Sequence, residues 1–149
     1  MAELPEQIAS LLIPMIGRPL LLPNVAVAEI VGWDQPEKQE GSPDWLLGKI
    51  EWRGVELPVV SLELMNDLEI EDASLGQRLA VINGVGECKL PFYAISVQGI
   101  PRLVRVYPEE MGSEEPSQDR AYDTLVMVSG ERAVIPDLVN VERELNQVV

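Results

Sequence analysis

One fourteen-residue pattern occurs twice in this chain, and it constrains the fold more than any other stretch. The first copy, KIEWRGVELPVVSL, runs from Lys49 to Leu62, and the second, LVMVSGERAVIPDL, from Leu125 to Leu138. Gly130 follows Gly54 by 76 positions, as Leu138 follows Leu62. Each copy alternates in the manner of a strand, breaks at a glycine and resumes, which is the signature of a β-hairpin. With Arg53 and Gly54 as the turn, Trp52 faces Val55, Ile50 faces Leu57 and Gly48 faces Val59, so one side is apolar throughout. The other side sets Glu51 opposite Glu56 and Lys49 opposite Pro58. Gly54 supplies the positive φ that a two-residue turn demands, whereas arginine fits the first turn position poorly. A slip of one residue would turn the apolar face outward. Pro58 and Pro136, inside strand patterns, each mark an edge or a bulge.

The segments before the hairpins are also related, since LPNVAVAEIV matches AISVQGIPRLV when Ile30 is set on Leu103. Short apolar runs punctuated by Gly, Pro, Asn and Asp predict strands at 9–13, 19–22, 28–31, 46–52, 55–62, 78–82, 91–97, 102–106, 125–128 and 132–135. Two repeats of about five strands each, closing into small barrels, protect their edges against one another. The expected architecture is all-β: one domain over 1–149, with a first barrel over 22–88 and a second over 8–21 and 89–149. One helix is expected, near the C-terminus, where Leu138, Val141, Leu145 and Val148 recur at helical spacing and Asp137 or Asn140 can cap it. Residues 32–44 and 108–120 read as polar loops.

Charge and composition narrow the function. Eleven Lys and Arg stand against 25 Asp and Glu, a formal net charge of -14. Such a surface repels phosphate backbones and anionic lipid, so nucleic acid is not an expected partner, and basic patches are favoured ones. Histidine is absent and Cys88 is the only cysteine. The commonest general base and metal ligand is therefore missing, and no intrachain disulfide can form. The N-terminus lacks a basic signal-like region, and the apolar run 11–15 is short and broken by Pro14. Both features point to a cytoplasmic protein without membrane insertion.

An enzyme would have to work with carboxylates, and Glu37, Glu40, Asp44, Glu109, Glu110, Glu114, Glu115 and Asp119 sit in polar loops where solvation keeps them ordinary acids. EIEDASLGQ lacks the spacing of a calcium loop, and GVGE lacks the Lys, Ser or Thr of a phosphate loop. Cys88, beside Lys89, has no histidine to activate it. Trp52 reads as core. Trp33 and Trp45 flank the first polar loop and form a candidate contact patch, tryptophan being enriched in binding hot spots.

Taken in order, several residues resemble one family. Val27, Glu29 and Ile30, then Leu47 and Gly48, Arg53 and Gly54, Pro58, LVRVYPEEM and finally GERAVIPDL are similar to the CheW-like domain, the coupling module of bacterial chemosensory arrays. The likeness extends over roughly residues 8 to 147. It implies two five-stranded SH3-like barrels with a hydrophobic groove between them and no cofactor. It also implies a non-enzymatic adaptor between the cytoplasmic tips of chemoreceptors and the regulatory domain of a CheA-type histidine kinase. Carried over, Val27, Ile30, Leu47 and Gly48 become receptor-groove positions, and Arg53 and Gly54 their structural support. Departures from the family pattern are Glu51-Trp52 before the turn, RPLLLP in place of a glycine-containing strand, and the loop 32–44. The tryptophan-bearing segments resemble ChpC-type accessory adaptors of type IV pilus and twitching-motility systems. Other readings of the same chain are a receptor-binding competitor that recruits no kinase, and an acidic enzyme or cation-binding module.

Overall fold

The computed structural model describes residues 8–15, 19–65, 78–84, 91–106, 112–113, 123–128 and 131–148. Eleven strands lie among them: β1 (Ile8–Ile13), β2 (Leu20–Pro23), β3 (Val27–Gly32), β4 (Leu46–Trp52), β5 (Val55–Val60), β6 (Arg78–Asn83), β7 (Phe92–Val97), β8 (Arg102–Val106), β9 (Gly112–Ser113), β10 (Asp123–Val128) and β11 (Glu131–Pro136). Two helices, α1 (Leu62–Met65) and α2 (Leu138–Val148), and a 3-10 turn at Asn24–Ala26 complete the described elements.

The strands form two sheets, one ordered β3-β6-β7-β5-β4 and the other β8-β1-β2-β11-β10-β9. Apart from the two-residue β9, the sheets have the same construction. In the first, β3 and β6 and then β6 and β7 are antiparallel, β7 runs parallel to β5, and β5 returns to β4. In the second, β8, β1, β2, β11 and β10 repeat those relations in that order. The internal repeat is thus a structural repeat. The two hairpins even share a register: Ile50 faces Leu57 and Trp52 faces Val55, as Val126 faces Ala133 and Val128 faces Glu131.

The repeat crosses over in space more than its linear order suggests. Phe92–Val97 belongs to the first sheet, and Leu20–Pro23 to the second. The expected division at 22–88 and 89–149 is therefore corrected at both boundaries. The cause is a connection preference: a parallel β5–β7 pair needs a long crossover, which β6 occupies, so the chain closes its first sheet only at Val97.

Alternation along the strands sorts the apolar residues into three compartments. Ile50, Leu57, Val59, Leu79, Val81 and Ala94 fill the concave side of the first sheet. Leu12, Leu21, Val106, Val126 and Ala133 fill the second. Ile13, Leu20, Leu22, Val60, Ala80, Ile82, Tyr93 and Ile95 meet between the sheets in a shared core. Strands β6 and β7 are buried on both faces, which explains their near-continuous apolar sequence.

Helix α2 caps that shared core with Val141 and Leu145, both fully buried. Asp137 is its N-cap, its Oδ1 accepting from the Asn140 N–H at 3.1 Å. Val148 is exposed, so the helical stripe ends one turn early. The Tyr93 hydroxyl donates to Glu142 at 3.3 Å, linking α2 to β7 with a buried polar contact. The expected strand 55–62 stops at Val60, because Ser61 Oγ accepts the Leu64 N–H at 3.3 Å and starts α1. Residues Glu69 to Gln77, Glu87 and Cys88 lie outside the described residues.

Candidate docking surface

Val27 and Ile30 lie on β3, an edge strand, opposite Ile82 and Ala80 of β6. Both are half-buried and pack against the shared core. A register irregularity between Val27 and Glu29 twists the start of β3. The 3-10 turn that delivers β3 packs beside β1, and Asn83 Nδ2 donates to its Val25 carbonyl at 3.0 Å. Val27 thus stands where the first sheet meets the β1–β8 pair of the second.

The second sheet also presents apolar side chains at the margin of the shared core. Leu11 is half-buried against the shared core, and its cross-strand partner on β8 is Leu103, which is 61% exposed. Ile100, just before β8, is 70% exposed. It lines an open groove of about 430 Å³ together with Leu12, Pro14, Met15 and Pro19, edged by Arg102 and Glu131. Arg102 Nη2 bonds Glu131 Oε2 at 2.8 Å across the groove's edge. Sequence reasoning did not single out Leu103 or Ile100. The signal was present, however: the repeat sets Leu103 on Ile30, and both turn out to occupy edge strands at equivalent positions of their sheets.

The remaining candidates go elsewhere. Leu47 packs with the first barrel's interior. Gly48 is buried with φ +141, and a Cβ there would lie 2.5 Å from the Glu37 carbonyl oxygen. It is a floor for the main chain of Glu37 and lines no open surface. Trp33 packs in the first barrel's cluster, whereas Trp45 packs against the shared core, so the structure does not gather them into one patch.

Arg53 and Gly54 form the two-residue turn with φ of 49 and 78. Arginine is tolerated there because its side chain is held: Nη2 bonds Glu29 Oε2 at 3.1 Å, and the guanidinium carbon lies 5.1 Å from the Trp52 ring centre. Trp52 Nε1 donates to the same oxygen at 2.9 Å. Because β3 and β4 are the two ends of their sheet, these bonds close the first barrel with side chains where no ladder does. The Trp52 hydrogen bond holds the Glu29 carboxyl below its ordinary range; partial desolvation works against it, and the Arg53 bond and charge add to it.

Among the described residues no three His, Cys, Asp or Glu side chains gather as a metal site, and no helix is long and apolar enough to cross a membrane. What the surface offers is a scatter of exposed and half-buried apolar side chains, Val27, Ile30, Leu11, Ile100 and Leu103 among them. No curated protein matches the sequence significantly. Among solved structures, the chain is similar to the scaffolding protein TtCheW from Thermoanaerobacter tengcongensis. The TM-score is 0.72 at 15% identity, covering 88% of this chain and 89% of that one. The fold is accordingly that of two SH3-like barrels with a short C-terminal helix. The sequence model of the CheW-like domain matches residues 10–144, nearly the whole length, and the chain belongs to the CheW-like domain family.

Proposed function

We propose that this protein is a cytoplasmic, non-enzymatic adaptor coupling chemoreceptor tips to the regulatory domain of a CheA-type kinase. The observation that carries the reading is the set of apolar side chains at the margin of the shared core: half-buried Val27 and Ile30 on edge strand β3, and half-buried Leu11 on β1 beside exposed Leu103 on edge strand β8. An amphipathic helix laid into such a rim buries residues at i, i+3, i+4 and i+7 and needs no reacting group. Family membership supplies the kinds of partner, and the scaffolding protein named above supports a structural role. The kinase would meet the far end of the first barrel, leaving the rim to the receptor. The tryptophan-bearing segments, similar to ChpC-type adaptors, favour a type IV pilus system as the output.

Titration calorimetry with a receptor-tip helical hairpin and, separately, with the kinase regulatory domain tests the proposal. Saturable 1:1 binding of both is expected. Binding of neither would overturn the adaptor reading, and binding of the receptor alone would make the protein a competitor.

A further inference from the structure

Strand β4 ends its sheet, and an uncovered edge of that length is a template for another strand. Residues 33–45 cover it. Glu37 exchanges two main-chain hydrogen bonds with Lys49, at 2.9 and 3.1 Å, so one residue of the loop acts as a minimal sixth strand. Pro36 is buried beside it, and Gly48 lacks the Cβ that would collide with the Glu37 main chain. Past this contact the loop turns back through Ser42, whose N–H and hydroxyl both donate to the Gln39 carbonyl at 3.3 and 2.6 Å. The polar loop is therefore a strap that pairs with the edge it hides at one residue and is anchored at its two ends by Trp33 and Trp45, which pack into the two cores.

We infer that this strap guards a self-complementary stretch, and that a second copy of this chain pairs with Lys49–Glu51 of β4 when the strap is lifted, the Glu29 contacts at Trp52 and Arg53 closing the barrel beyond that stretch. The bonds to Glu37 show that the N–H and C=O of Lys49 point out of the sheet, and by the two-residue period those of Glu51 do too. An antiparallel pairing of two β4 strands about Ile50 then sets Lys49 against Glu51 of the other copy, and Glu51 against its Lys49. These are hydrogen-bonded pairs with opposite charges on the solvent face. Lys49, whose ammonium lies 3.5 Å from Glu56, exchanges its main-chain partner Glu37 for Glu51 of the other copy. With the strap closed the edge is hidden, and the net charge of -14 on each copy opposes pairing in either state, so the dimer depends on the Lys49–Glu51 pairs. This assignment stands independently of which receptor or kinase the rim serves.

The substitution Glu37→Pro removes the strap's N–H donor and clashes with its pairing. The variant should show at least tenfold faster exchange of the Lys49 amide and sediment as a dimer at 100 μM-scale concentrations (order of magnitude) where the parent is a monomer. Adding Glu51→Lys should return it to monomer, and adding Lys49→Glu as well should restore the dimer with the charges exchanged. Pro36→Gly, which loosens the strap without entering a strand, replaces Glu37→Pro should that chain fail to fold. Unchanged Lys49 exchange, a monomer with the strap open, or a dimer indifferent to the charge at position 51 each overturns the inference.

Discussion

Truncating Leu103 is the sharpest test of the docking rim. Its side chain is 61% exposed on an edge strand, so little of the fold depends on it, and a partner helix covering it gains most of what its burial can give. Full burial of a leucine stabilises by about 1.5–3 kcal/mol, so the exposed share leaves roughly 1–2 kcal/mol for binding. Leu103→Ala should then weaken receptor-tip binding about 5- to 30-fold, since about 1.4 kcal/mol is tenfold. Its unfolding free energy should move by about 0.5 kcal/mol or less, as exposed positions do. Calorimetry with the receptor hairpin measures the first quantity and urea unfolding the second. Ile100→Ala, at a site 70% exposed in the groove beyond β8, tests how far the surface extends. A Leu103→Ala variant that binds within twofold of the parent refutes the rim; one that unfolds shows the residue belongs to the core.

Other residues give independent tests. Val27→Arg places a charge on edge strand β3, where its long stem reaches solvent; receptor binding should fall at least tenfold (order of magnitude) while circular dichroism stays native, and global unfolding would mean that Val27 is core. Gly48→Ala combines a left-handed backbone with a Cβ 2.5 Å from the Glu37 oxygen and should cost roughly 2–4 kcal/mol in denaturant unfolding; a loss under about 1 kcal/mol would show that the strap moves aside freely. Leu145→Ala, fully buried under α2, should cost about 2–5 kcal/mol, and a near-neutral result would place α2 off the shared core. Glu29 has a folded pKa below its unfolded value, so its contribution is present above the ordinary carboxylate range and is lost as pH falls through the folded pKa. Trp52→Phe removes the larger cause and should flatten that acid-side loss; an unchanged pH profile in urea unfolding would remove Glu29 from the barrel closure.

What the sequence determined by itself was everything governed by local period. Hairpin register follows from a two-residue turn and one apolar face, so Trp52 against Val55 and Glu51 against Glu56 were legible and are observed. The helix cap at Asp137 and the strand positions follow from the same short-range rules, apart from the early end of β5 at Val60 and the two-residue β9 inside the expected loop 108–120, and the repeat disclosed two similar sheets. Pairing between distant strands is another matter. That β7 completes the first sheet and β2 the second depends on which crossovers close a barrel, a long-range choice that no window of sequence displays. The side of a sheet on which a residue falls is likewise decided by partners: Trp33 and Trp45 sit at the two ends of one loop yet join different cores. Gly48 was visible as a glycine in a strand, but only the main chain of Glu37 lying over it explains why no side chain fits. Exposure of Leu103 was hidden for the same reason. An apolar residue in a strand reads as core until the edge on which it stands is known, and edges exist only once the sheets have assembled.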